Sequence, residues 1–287
     1  MDIGINIGYI RKQRGNENPR DIIESAKILK NSGYKFIDFG VEDFVQADNW
    51  ENTLTEIKNS LDETGLIVEQ THAPFVWKKY DSEEQYKELM MRSFKASKIL
   101  NANNIVIHAD KYVPDEKGFS FDNALNTIYD FYAPYVDYAV KNGVGVAIEN
   151  LFDGKKAKDD KDRTRFSSFI EEQIAIIDKY NDPLVTACWD TGHGNVSYGY
   201  DESIEAMKQL GSRLTATHIH DNYYQSDLHC PIFLGNTRWE KLMQTLREIN
   251  YKGKFTLELV YGSIPDELME KYLTLYRETA EFVINNY

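Results

Sequence analysis

The chain has 287 residues, 42% of them hydrophobic and 28% charged, enough to bury a substantial core. With 33 Lys and Arg against 46 Asp and Glu the net charge is −13, which disfavours nucleic acid as a partner. No apolar run reaches the ~18 residues of a membrane span and no basic-then-apolar leader opens the chain, so a cytoplasmic protein without membrane association is expected, its two cysteines (Cys188 and Cys230) reduced.

Apolar or β-branched runs predict eight strands, near residues 3–9, 35–40, 66–72, 104–108, 144–149, 184–190, 214–219 and 255–260. After the first run, Asn18 before Pro19 suits a helix N-cap, and Ile22, Ile23, Ala26 and Leu29 form a stripe at helical spacing. Gly33 and Gly65 suit helix stops that need a positive φ. Ser82 with Gln85, Ser168 with Glu171 and Thr237 with Glu240 have capping-box spacing, and Ile174, Ile176 and Ile177 give another apolar stripe. Pro134 falls inside a helical stretch over 120–142 and is expected to kink or divide it.

Strand and helix signals alternate throughout with no linker or low-complexity tract, which predicts one domain over residues 1–287. Eight strand-then-helix units match a (β/α)8 TIM barrel, usually about 250 residues long. An open doubly wound sheet is the alternative, but no G-x-G-x-x-G follows the first strand: Gly4 and Gly8 lie within it and Gly15 in the next loop.

All six histidines, His72, His108, His193, His218, His220 and His229, sit at or just beyond the ends of predicted strands, as do Glu149, Asp190 and Glu258. In a barrel those ends converge on one face. Glu149, Asp190, His218 and Glu258, from strands 5 to 8, form an oxygen-rich ligand set that suits one ion of Mn²⁺, Co²⁺ or Mg²⁺ and leaves positions for substrate oxygens. In Asp190-Thr-Gly-His193-Gly194, on a glycine-rich turn, the aspartate and the histidine can both face the pocket, one as ligand and the other as donor to a substrate oxygen. His220 shares the strand face of His218 unless the strand ends between them, and Asp227 with His229 offers a second metal or a substrate hydroxyl a further pair of groups. His72 and His108 are read as pocket-lining groups, with Phe75, Trp77 and Trp239 as candidate apolar walls. Tyr223 and Tyr224 leave room for a lid or a homo-oligomer contact.

Taken in order, THAPF at 71, IHAD at 107, IEN at 148, DTGHG at 190, HIHDN at 218, DLH at 227 and LEL at 257 resemble the xylose isomerase-like TIM-barrel superfamily, nearly end to end. That superfamily joins sugar phosphate isomerases and epimerases to the endonuclease IV type of AP endonucleases. The epimerase branch implies a metal held by Glu149, Asp190, His218 and Glu258, with His193 on a substrate oxygen. The endonuclease branch implies three zinc ions, held by these four with His72, His108, His193, Asp227 and His229. Departures favour the sugar branch: His220 stands where endonucleases carry a small polar residue, Asn222-Tyr223 where they carry Ser-Lys, Asn150-Leu151 follows the strand 5 glutamate, and the glycine pair is reduced to Gly235-Asn236.

The resulting expectation is a metal-dependent sugar (phosphate) isomerase or epimerase with a small polyhydroxy carbonyl substrate. Glu149 and Glu258 would exchange a proton at the carbon beside the carbonyl, through an enediolate. His72, His108, His193, His220, Asp227 and His229 would contact the substrate. The alternatives are a three-zinc AP endonuclease, an inosose dehydratase-like lyase and a non-catalytic sugar-binding barrel.

Overall fold

Period-two alternation in the strands decides which side chains meet the barrel axis and which meet the helices. The computed structural model describes residues 1–11, 19–75, 79–154, 156–223, 226–260, 262 and 264–287. Its strands are β1 (Ile3–Asn6), β2 (Phe36–Gly40), β3 (Ile67–His72), β4 (Asn104–His108), β5 (Gly145–Glu149), β6 (Val185–Asp190), β7 (Leu214–His218) and β8 (Phe255–Leu257). They pair in parallel in the order β7-β6-β5-β4-β3-β2-β1-β8. The seam between β7 and β8 is a parallel bridge between Ile219 and Leu257. There the Ile219 amide donates to the Thr256 carbonyl at 2.7 Å and the Glu258 amide to the Ile219 carbonyl at 3.0 Å. The architecture is the expected (β/α)8 TIM barrel.

Around it lie α1 (Gly8–Arg11), α2 (Ile22–Asn31), α3 (Glu42–Val45), α4 (Trp50–Thr64), α5 (Glu83–Ile99), α6 (Phe121–Asn142), α7 (Ile170–Tyr180), α8 (Thr191–Tyr198), α9 (Tyr200–Lys208), α10 (Trp239–Glu248) and α11 (Asp266–Asn286). Ile105, Ile107, Val146, Ile148, Ala187 and Trp189 belong to the large core between strands and helices. The intervening Val106, Ala147, Cys188 and Ala216 form a separate buried cluster inside the barrel. Two residues further along the same inner faces come His108, Glu149, Asp190 and His218, over a floor of small side chains. None of the described helices is long and apolar enough to cross a membrane.

Several expected boundaries move. The first strand stops at Asn6 because Gly8–Arg11 turns helical, the seventh stops at His218 and the last at Leu257. Asn18 lies outside the described residues; the cap of α2 is Asp21, whose carboxylate accepts the Ile23 and Glu24 amides at 2.9 and 3.1 Å. Gly33 and Gly65 do take the left-handed conformation, at φ 88° and 72°. Ser82 caps α5 by accepting the Gln85 amide at 3.1 Å. The N-cap of α7 is Phe169 rather than Ser168, with its amide donating to Glu172 at 3.2 Å. Thr237 does not cap α10: its hydroxyl accepts from Asn195 at 3.0 Å, a contact 42 residues away in the chain. Pro134 does not divide α6, which runs unbroken from Phe121 to Asn142.

Candidate active site

The carboxyl ends of β3 to β8 and the loop after β7 bring together the six histidines with Glu149, Asp190, Asp227 and Glu258. His72, His108, Glu149, Asp190 and His218 are the terminal residues of β3 to β7, and Glu258 follows β8. Register sets neighbours side by side: His108 pairs with Glu149 and Asp190 with His218. Glu149 is the hub. Its Oε2 lies 3.3 Å from His72 Nε2 and 3.1 Å from His108 Nε2, and its Oε1 lies 3.1 Å from His218 Nδ1. Glu258 Oε2 is 3.4 Å from the same His218 nitrogen.

Asp190 plays a second part that no motif in the sequence announces. The glycine-rich segment is the first turn of α8 rather than a free turn, and Asp190 is its N-cap, accepting the His193 amide at 2.7 Å. Asn150 clamps the strand end from both sides. Its Oδ1 accepts the Asp190 amide at 2.6 Å, while its Nδ2 donates to the Asp190 carbonyl at 3.0 Å. Although β7 ends at His218, His220 is fully buried and still faces inward, its ring stacked on His229 at 4.1 Å between centroids. His229 has φ 50°, unusual for a residue with a side chain and tolerated where surrounding contacts fix it. Asp227 Oδ2 joins His229 Nε2 at 3.1 Å and His193 Nε2 at 3.4 Å.

Hydrogen bonds define which ring nitrogens look inward. Nδ1–H donates to a backbone carbonyl in His72 (Ala73, 2.7 Å), His193 (Asn150, 2.9 Å) and His229 (Glu258, 3.0 Å), which turns each Nε2 toward the carboxylates of the centre. Burial raises the Glu149 carboxyl, but the surrounding imidazoles of His218 and His108 outweigh it and hold the group well below the usual carboxylate range. In Glu258 burial prevails and the carboxyl is raised. Burial pushes His108 down to about 4, and it pushes the Cys188 thiol beside His218 up to about 12.

The donor set fits a divalent cation. Glu149, Asp190, His218 and Glu258 each offer an atom within 4.8 Å of the others, and three flanking groups share members with them: His72, His108 and Glu149; His220, His229 and Glu258; Asp190, His193 and Asp227. Among the described residues, the ion pairs of these carboxylates are all with imidazoles. Among the described residues, buried Asp227 Oδ1 finds no hydrogen-bond partner. Carboxylates crowded together out of water repel one another, and a cation held among them offsets that cost.

A cavity of about 310 Å³ opens beside the cluster, lined by Asn6, Arg11, Glu42, His72, Phe75 and Glu258 among others. Phe75 forms its apolar wall, edge-on to His72 at 5.7 Å and tilted over His108 at 4.8 Å. Trp239 is no wall: it opens α10, buried in the core and edge-on to Phe233 at 6.5 Å. Trp77 and Tyr224 lie outside the described residues, while Tyr223 is exposed. Two inward groups were missed in sequence, Asn6 and Asp38, whose side chains bond to each other at 3.0 Å. The signal was Asp38 between Ile37 and Phe39, a lone carboxylate at the inward phase of a buried strand.

A family model described as xylose isomerase-like TIM barrel matches residues 26–284. The uncharacterized protein y4fM of Sinorhizobium fredii is 22% identical over 219 residues, which cover 75% of this chain and 65% of that relative, slightly under two thirds of its length. Among solved structures, a D-psicose 3-epimerase in the presence of D-fructose superposes with a TM-score of 0.77 at 16% identity, covering 100% of both chains. The IolI protein with a bound zinc atom superposes with a TM-score of 0.75 at 16% identity, covering 100% of this chain and 99% of that one.

Proposed function

The chain belongs to the xylose isomerase-like TIM barrel family, and on that premise we propose that it is a metal-dependent isomerase or epimerase of a small polyhydroxy carbonyl compound, a sugar, sugar phosphate or inositol derivative. One observation carries the reading: Glu149 and Glu258 both reach Nδ1 of His218, at 3.1 and 3.4 Å, with Asp190 completing the group. The epimerase and zinc-bearing proteins that share the fold add support.

Glu149, Asp190, His218 and Glu258 would hold one Mn²⁺, Co²⁺ or Mg²⁺ ion. When bound, such an ion polarises a carbonyl oxygen and the neighbouring hydroxyl, easing loss of the proton between them. The chain's own groups do the rest. One glutamate takes that proton and the other returns one; opposite faces give epimerisation, whereas a single glutamate doing both jobs gives carbonyl transposition. His193, fixed by the Asn150 carbonyl, presents Nε2 to a substrate oxygen. Phe75, on the cavity wall, would pack on the apolar face of the sugar. The test is exchange of carbon-bound hydrogen with solvent across a panel of ketoses, sugar phosphates and inososes. No exchange with any of them overturns the reading.

The flanking ligand groups favour a second reading, a multinuclear zinc phosphodiesterase acting on abasic DNA. The net charge of −13 weighs against it. Elemental analysis separates the two: about one ion per chain supports the sugar reading, and two or three zinc ions support the other.

A further inference from the structure

His218 differs from its neighbours in how its ring is held. His72, His193 and His229 turn Nε2 to the centre and anchor Nδ1 on backbone carbonyls. His218 is reversed: Nδ1 faces Glu149 and Glu258, while Nε2 points away, 3.2 Å from Asp38 Oδ2 on β2. Both Asp38 and His218 are fully buried. Among the described residues, Asp38 Oδ1 and His218 Nε2 each find no aligned hydrogen-bond partner, a costly condition for buried polar atoms that a small turn of the carboxylate would relieve. The carboxylate is itself held from behind. Asn6 Nδ2 donates to Asp38 Oδ2 at 3.0 Å, and Asn6 Oδ1 accepts the Gly8 amide at 2.8 Å.

We infer that Asp38 is the positioning residue of the metal centre: its carboxylate accepts the Nε2 proton of His218, fixing the tautomer whose Nδ1 lone pair faces the ion, with Asn6 steadying the carboxylate. The chain Gly8–Asn6–Asp38–His218 thus ties the first two strands of the barrel to a ligand on the seventh. A carboxylate behind a ligating imidazole raises its basicity and fixes its plane, and its loss typically costs about 10- to 100-fold in metal affinity. This inference rests on the proposed metal site.

The experiment compares Co²⁺ titrations of the wild-type protein, Asp38→Asn and Asp38→Leu, reading affinity and the visible Co²⁺ spectrum, with far-ultraviolet circular dichroism checking the fold. Asp38→Leu should bind Co²⁺ about 10- to 100-fold more weakly and with an altered spectrum, and Asp38→Asn, which keeps an acceptor oxygen, should retain more of the affinity. Wild-type affinity and spectrum in Asp38→Leu overturn the inference while leaving the functional reading intact; a wild-type protein that binds no divalent ion overturns both. Should Asp38→Leu fail to fold, long-range proton–nitrogen correlation on the Zn²⁺-loaded wild-type protein decides. A proton on His218 Nε2 supports the assignment, and one on Nδ1 overturns it.

Discussion

Nε2 of His220 lies 3.1 Å from each carboxylate oxygen of Asp190, so one imidazole spans the whole face of a carboxylate that also caps α8. The ring reaches that place because position 192 has no side chain. A Cβ there would sit 1.9 Å from His220 Cε1. Gly192→Ala should therefore push the ring out of its slot and cost about 1–3 kcal/mol through overpacking. Thermal unfolding measures the cost, and metal stoichiometry reports whether Asp190 has lost its setting; an unchanged melting temperature would show that the slot has slack.

Glu149→Gln and Glu258→Gln should each abolish exchange of substrate carbon-bound hydrogen with solvent. Glu149→Gln should also weaken metal binding the more, because Glu149 contacts His72, His108 and His218 together. Normal exchange in either variant removes that glutamate from the proton path.

Chelation should lower the melting temperature reversibly. An ion present at a hundred times its dissociation constant stabilises by about 2.7 kcal/mol, so melting curves with and without added Mn²⁺ should separate by several degrees. Coincident curves would speak against a resident ion.

In the metal-free protein, burial lowers the His229 imidazole, but Asp227 and Glu258 outweigh it and push it up to about 9. Because the folded value lies above the unfolded one, this ion pairing stabilises fully below about pH 6.5 and is lost as pH rises through about 9. A cation at Glu258 repels that proton. Titration of Mn²⁺ at about pH 8 in buffers of different ionisation enthalpy should reveal proton release, fading above about pH 9. Equal heats in all buffers would contradict it.

Arg163 is buried with Glu172 at 2.7 Å and lies between the rings of Phe119 and Phe169, 4.1 and 4.5 Å from its guanidinium carbon. Arg163→Met should cost about 3–5 kcal/mol by stranding the glutamate, and adding Glu172→Gln should restore much of it. Urea unfolding of both variants gives the comparison; equal losses would mean that the packed guanidinium matters more than the charge pair.

Much of the site is legible in local sequence pattern. His108, Glu149, Asp190 and His218 end strands whose odd and even positions divide cleanly, so their inward direction follows from alternation alone. Asn6 and Asp38 escaped notice for a related reason. The apolar run of the first strand continues past Asn6 to Tyr9 and hides where the strand ends, and Asp38 carries no motif beyond its phase between Ile37 and Phe39. Trp239 was misplaced because aromatic character has no direction without a period. Thr237 was assigned a local cap when its hydroxyl serves Asn195 across the fold, and local spacing does not encode such a contact.

The seam between β7 and β8 is also where two strands that bear proposed ligands meet. One side carries His218, the other Glu258, and the Glu258 amide itself makes one of the two backbone bonds across it. An ion gripped by both side chains would therefore act as a clasp on the hoop of strands, reinforcing the join that the backbone bonds already make.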